Sequence, residues 1–148
     1  MVHLRTIKSS NYFKTIYESG KKFRYNYVGT VIIFKNNTNI SYNNTLNYAV
    51  VIGKKIVSQA VTRNRIKRLL RETLRQLSKK YEDKIIYIDK IILSYNMAPK
   101  HLKLIKLQEI MPAAEIILKQ AFFYYENKYL KNNITYSENN SDYSDKSI

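Results

Sequence analysis

Between residues 59 and 80 the apolar positions Ile66, Leu69, Leu70, Leu74 and Leu77 recur three or four residues apart, the spacing of one face of an α-helix. At about 100° per residue they share one arc, and Lys67, Arg68, Arg71 and Arg75 fall on the opposite side. The pattern predicts a helix that docks by its leucines and turns its cations outward. A second stripe, Leu107, Ile110, Met111, Ala114, Ile117, Leu118 and Ala121, predicts a last helix over 107–130. Pro112 inside it either kinks it or marks its true start. Near the N-terminus Phe13, Ile16 and Tyr17 have helical spacing behind Ser9 or Ser10 as an N-cap. With Gly20 as the stop signal, they predict a short first helix over 8–19.

Strands show a period of two or short β-branched runs. Residues 21–35, KKFRYNYVGTVIIFK, alternate Phe23, Tyr25 and Tyr27 against Arg24, Asn26 and Val28, then run into β-branched residues, and read as a strand. Asn-rich 36–47 reads as a polar turn, and LNYAVVIGKK as a second, buried strand ending at Gly53. KIIYIDKIILSY, residues 84–95, predicts another strand with a break near Asp89 and Lys90, and Pro99 ends that region in a loop. Residues 131–148, KNNITYSENNSDYSDKSI, lack apolar periodicity and are expected to be a disordered tail behind a single domain, 1–130.

Composition fits one domain: 148 residues with 45% hydrophobic content can bury a modest core. Charge changes the picture. Lys and Arg number 26 against 11 Asp and Glu, a net +15, which costs self-repulsion unless a polyanion or an acidic membrane surface neutralises it. The tail sets Lys131 and Lys146 against Glu138, Asp142 and Asp145, so the excess belongs to the folded part. From Lys54 to Lys80 ten bases meet one acid, Glu72. A merely solvated face interleaves acids for i,i+4 pairing, and this one does not. Arginine is preferred over lysine between 63 and 75, which suits bidentate contact with phosphate oxygens. A helix lying on a membrane would carry Trp or Phe at its apolar edge, where this one has only Ile and Leu.

The chain has no cysteine, which excludes disulfides, thiolate zinc sites and a cysteine nucleophile. No segment approaches the roughly 18 apolar residues of a membrane span, and MVHLRTIKSS lacks the apolar core of a secretory signal, so a cytoplasmic location is expected. Nothing has the form of a protein nuclease site. Glu82 and Asp83 are the only adjacent acids, and His3 and His101 lie far apart without ligand spacing.

The stretch RNRIKRLLRE, residues 63–72, preceded by GKK and a short linker, closely resembles the signature of the bacterial ribonuclease P protein component. A leading leucine, Phe13, the pair Ile16 and Tyr17, and then GKKF are similar to that family's first helix. The resemblance covers roughly residues 4–125. It implies an α/β domain, an α+β sandwich with a central, mostly antiparallel sheet, helices and a left-handed βαβ crossover. Right-handed crossovers are the general rule, so that handedness rests on the family alone. It also implies binding to a catalytic RNA and help in removing the 5′ leader of precursor tRNA. Hydrolysis would then occur on the RNA, with Mg2+ held by RNA phosphates, and no obligate protein partner or membrane is implied.

Residue by residue, the resemblance implies that Arg63, Asn64, Arg65, Lys67, Arg68 and Arg71 meet the catalytic RNA, with Lys54 and Lys55 beside them. Asn64 would donate to a phosphate or else cap local backbone. Phe13, Tyr17 and Tyr27 resemble the aromatic face of the family's cleft for single-stranded leader. Stacking gives roughly 1–3 kcal/mol per base and tolerates any sequence. Phe13 fits a core position equally well, while the hydroxyls of Tyr17 and Tyr27 favour exposure. Two features depart from the family: residues 82–105 look longer than usual, and Tyr95 stands where a basic residue is common. The alternative of another class is a ribosomal or other structural RNA-binding protein, which needs the basic helix but no leader cleft.

Overall fold

The run Ile88–Tyr95 is the middle strand of a five-stranded sheet. Its β-branched side chains suit that place because both of its faces are covered: Ile88, Ile91, Leu93 and Tyr95 enter one core cluster and Ile92 another. The structure is a computed structural model and describes residues 2–35, 44–53, 55–96 and 107–130. Its elements are β1 (His3–Thr6), α1 (Ser10–Ser19), β2 (Lys21–Tyr25), β3 (Val28–Phe34), β4 (Thr45–Val51), α2 (Ala60–Lys80), α3 (Glu82–Ile85), β5 (Ile88–Tyr95) and α4 (Leu107–Tyr125). A π-helical turn, Glu126–Leu130, continues α4.

The strand order is β1-β4-β5-β3-β2. β1 with β4 and β4 with β5 are parallel; β2 with β3 and β3 with β5 are antiparallel. The sheet is therefore evenly mixed, not mostly antiparallel as expected. Helix α2 is the crossover between neighbouring parallel strands, and β1 adds a second parallel pair from the far end of the chain. β1 escapes sequence reading because an edge strand of HLRT has only Leu4 to bury, and Leu4 packs on the main core.

Residues 21–35 form two strands rather than one. Tyr25 pairs with Val28, leaving Asn26 and Tyr27 as a two-residue hairpin turn, and Asn26 has φ 52. Asparagine tolerates that left-handed conformation better than other side chains with a Cβ. Polar–apolar alternation continues through the turn, which hides it. The break expected near Asp89 is a β-bulge: Ile33 pairs with Lys90 and Phe34 with Ile88, skipping Asp89. The strand expected from residue 84 begins instead at Ile88, after the short α3.

Helices α2 and α4 cover one face of the sheet. Ile66, Leu70, Leu74 and Leu77 of α2 are at most 2% exposed and meet Ile110, Ile117 and Leu118 of α4 in one cluster. Burying each such side chain stabilises the fold by about 1.5–3 kcal/mol. Pro112 lies inside α4, which starts at Leu107, so the proline does not mark the helix start.

Helix α1 lies on the other face, where Ile16 packs with Val31, Ala49 and Ile92. Ser9 occupies its N-cap position without a side-chain capping bond. Gly20 ends it in extended conformation, so the glycine is there for space: a Cβ would lie 2.5 Å from Val31 Cγ1 and 2.6 Å from the Ile16 carbonyl oxygen. No helix among the described residues is long and apolar enough to cross a membrane. The expected tail, 131–148, lies outside the described residues.

Candidate nucleic-acid interface

Helix α2 buries one face and presents the other. Thr62, Ile66, Leu70, Thr73, Leu74, Leu77 and Ser78 are buried, while Asn64, Arg65, Arg68, Arg71 and Arg75 are exposed. Asn64, Arg68, Arg71 and Arg75 follow one another at spacings of three or four, so they form one ridge. Lys67 is half-buried at the flank, next to Ile66, rather than out among the arginines. Lys55 is exposed in the loop before the helix, and Lys54 lies outside the described residues.

Arg63 has a structural task of its own. Its Nη1 donates to the carbonyls of Val57 at 2.8 Å and Ser58 at 2.7 Å, fastening the loop to the first turn of α2. Asn64 cannot be the helix cap, because the N-cap position is Gln59 and Asn64 is already inside the helix. Its side chain is exposed on the outer face of α2.

Two acids shape the field of the helix. Glu72 accepts from Arg75 through both carboxylate oxygens, with Arg75 Nε at 2.8 Å, and from Gln76 Nε2 at 2.8 Å. The bonds from Arg75, then from Gln76, hold its carboxyl down to about 2. Near the C-terminus Glu115 of α4 accepts from Lys80 at 2.6 Å and from the Tyr81 hydroxyl, and both bonds lower its pKa. Both of these carboxylates meet bases in the C-terminal half of α2. From Lys55 to Arg71 the sequence holds six bases and no acid, a surface that attracts phosphates.

The aromatic residues divide. Phe13 is half-buried against the cluster under α1, and Tyr17, one turn on, is 41% exposed with burial pushing its hydroxyl pKa up. Tyr27 does not join them. It sits in the hairpin turn with its ring against Tyr95, centroids 6.2 Å apart, and Tyr95 belongs to the core under α2 and α4. The reason is the turn itself, which swings Tyr27 out of the strand alternation that seemed to place it. Tyr95 is buried there, at 7% exposure.

Sequence reading passed over Lys22 and Arg24. Both are exposed on β2, and their partners Val31 and Gly29 put them on α1's side of the sheet. Their alternation with Phe23 was the available signal. Gly29 lies beside them, and a Cβ there would come to 2.8 Å from the side-chain atoms Ser94 Oγ and Asn96 Nδ2.

The Ribonuclease P family model matches residues 1–111. The chain belongs to the family of ribonuclease P protein components. The Ribonuclease P protein component of Pseudanabaena sp. (strain PCC 6903) is 37% identical over 71 residues, which are 48% of this chain and 57% of that relative. The chain thus matches a little over half the length of that curated relative. Among solved structures, the RNase P protein of Staphylococcus aureus superimposes with a TM-score of 0.56 at 27% identity, covering 78% of this chain and 94% of the other. The RNase P protein of Thermotoga maritima has a TM-score of 0.57 at 18% identity over 78% and 96% of the two chains, a likeness of fold. The matched family includes residues 63–72 in its span, and the ribosomal alternative has no support in these matches.

Proposed function

We propose that the chain is the RNA-binding protein subunit of ribonuclease P, which holds the catalytic RNA through α2 and assists removal of the 5′ leader from precursor tRNA. The observation that carries this is the ridge of Asn64, Arg68 and Arg71 on a helix whose first half has no acid, in a chain of this family. Arginines on one ridge suit successive backbone phosphates, and Arg63 keeps the preceding loop, with Lys55, fixed to the helix.

Hydrolysis belongs to the RNA in this reading, with Mg2+ held by RNA phosphates. Among the described carboxylates, Glu72, Asp89 and Glu115 are each engaged by a cation. No three His, Asp or Glu side chains converge among the described residues. The protein's contribution is then affinity and position. Phe13 and Tyr17 on α1 offer stacking surfaces to leader bases, at roughly 1–3 kcal/mol each, and Tyr27 is left out of that group.

The test is reconstitution: added to a bacterial ribonuclease P RNA at low magnesium, the chain should raise cleavage of precursor tRNA. With the holoenzyme assembled at saturating protein, Phe13→Ala with Tyr17→Ala should weaken precursor tRNA and leave mature tRNA unchanged. No stimulation by the folded chain would overturn the subunit reading, and equal loss for both tRNA forms would overturn the leader assignment.

A further inference from the structure

A second basic locus lies away from α2. Arg5 on β1, Asn47 on β4 and Lys90 on β5 are direct cross-strand partners in one row, so their side chains leave the same face of the sheet. That face is the one α1 crosses, since Ala49 and Ile92, two residues further along β4 and β5, lie beneath Ile16. With strands about 4.8 Å apart, Arg5 and Lys90 stand roughly 10 Å apart with the Asn47 amide between them. Lys8, Ser9 and Tyr12 complete the wall of a cavity of about 680 Å³ beside the start of α1.

The chemistry of this cavity is that of a nucleotide site. Three cations line it, Arg5 and Lys8 from the N-terminal stretch and Lys90 from β5, and Asp89, which lies 3.0 Å from Lys90 Nζ, offsets one of them. Asn47 Nδ2 donates to the Asp89 carbonyl at 3.3 Å, which orients the amide in the middle of the row. The first turn of α1 has no acid and Ser9 makes no capping bond, so the positive end of the helix adds to the same field. Tyr12 is 56% exposed at the rim and supplies an aromatic face. Cations set beside an exposed ring are the elements of single-stranded nucleic-acid binding. The volume is also far more than a lone inorganic anion fills.

We infer that the Arg5–Asn47–Lys90 row is a second phosphate-binding site for single-stranded RNA. Because α2 packs on the opposite face of the sheet, the strand held here is a different segment from the one on α2. Its source is either the catalytic RNA or the leader of the substrate. The inference rests on the subunit reading for the identity of the RNA, but not on the role of α2.

The experiment uses the full chain with Arg5→Gln and Lys90→Gln together, Arg5→Gln alone, and Arg68→Ala in parallel. Binding is measured across salt in three arms: to the catalytic RNA, and by saturated holoenzyme to precursor tRNA and to mature tRNA. Arg5→Gln should lower the slope of log K against log salt by about 0.7, equivalent to about fivefold weaker binding at 0.1 M salt, and the double variant by more than that but less than about 1.4, because Asp89 offsets Lys90. Loss in the catalytic-RNA arm places that RNA in the row, and loss for precursor alone places the leader there. Unchanged affinity and slope in all three arms, with Arg68→Ala weakening the catalytic RNA, would overturn the row and leave α2 standing. No effect of any variant would overturn both. If the double variant is not folded by circular dichroism, exposed Arg5→Gln alone decides, and an unchanged slope refutes the site.

Discussion

Replacing Arg68 and Arg71 together by alanine removes two exposed guanidinium groups from the ridge of α2, where no acid pairs with either among the described residues. If each neutralises one RNA phosphate, the pair accounts for about 1.4–1.8 of the slope of log K against log salt. Over the fourfold range from 50 to 200 mM salt, wild-type affinity should therefore fall about 7- to 12-fold more than that of the variant. Arg75 lies on the same ridge, but its charge is already cancelled by Glu72. The pair is solvent-exposed and adds little to the fold, yet its neutrality governs counterion release. Arg75→Ala should thus change the slope by less than half as much as Arg68→Ala, and Glu72→Gln, which frees Arg75, should steepen it. Filter binding of the full chain to the catalytic RNA across salt measures all four variants. Equal slope changes for Arg75→Ala and Arg68→Ala, or no change for Glu72→Gln, would refute the reasoning.

Gly20→Ala should destabilise the fold by about 1–3 kcal/mol, because its Cβ would press on the Ile16 carbonyl and on Val31; an unchanged melting temperature would show that α1 gives way freely. Leu70→Ala, at a fully buried position of α2, should cost about 2–5 kcal/mol in urea unfolding, and a cost under about 1 kcal/mol would mean that α2 is not part of the core. Glu72 should titrate near about 2 at low salt. Its folded pKa is depressed, so its stabilising contribution is present above about pH 4.3 and lost as the pH falls towards the folded value. A carboxyl midpoint by NMR near the ordinary value would mean that the Arg75 bonds do not persist in solution. Tyr27→Ala should leave the difference in affinity between precursor and mature tRNA unchanged, and a loss confined to precursor would return Tyr27 to the leader cleft.

Local rules carried much of this protein. The period of the leucines in residues 59–80 was enough to place α2 and to say which side it buries, because a helix face is decided within a few turns of chain. Glycine and serine marked the ends of α1, although the structure shows steric room at Gly20 where a stop signal was expected, and no capping bond from Ser9. The same local reading misled where two conformations share one pattern: alternation ran unbroken through Asn26 and Tyr27 and concealed the hairpin.

Tertiary structure alone decided which distant residues face one another. No period relates residues 5, 47 and 90, and only the pairing of β1 with β4 and of β4 with β5 sets Arg5, Asn47 and Lys90 in a row. The mixed sheet arises in the same way, since strand direction depends on where the chain re-enters the sheet and not on the residues of any one strand. The contrast between Arg68 and Arg75 is a matter of conformation: both are arginines on one ridge, and the side-chain rotamers that bring Glu72 onto Arg75 make them different in charge. Sequence sets a residue's period and propensity within its own element, whereas contacts between elements depend on long-range packing that no local window contains.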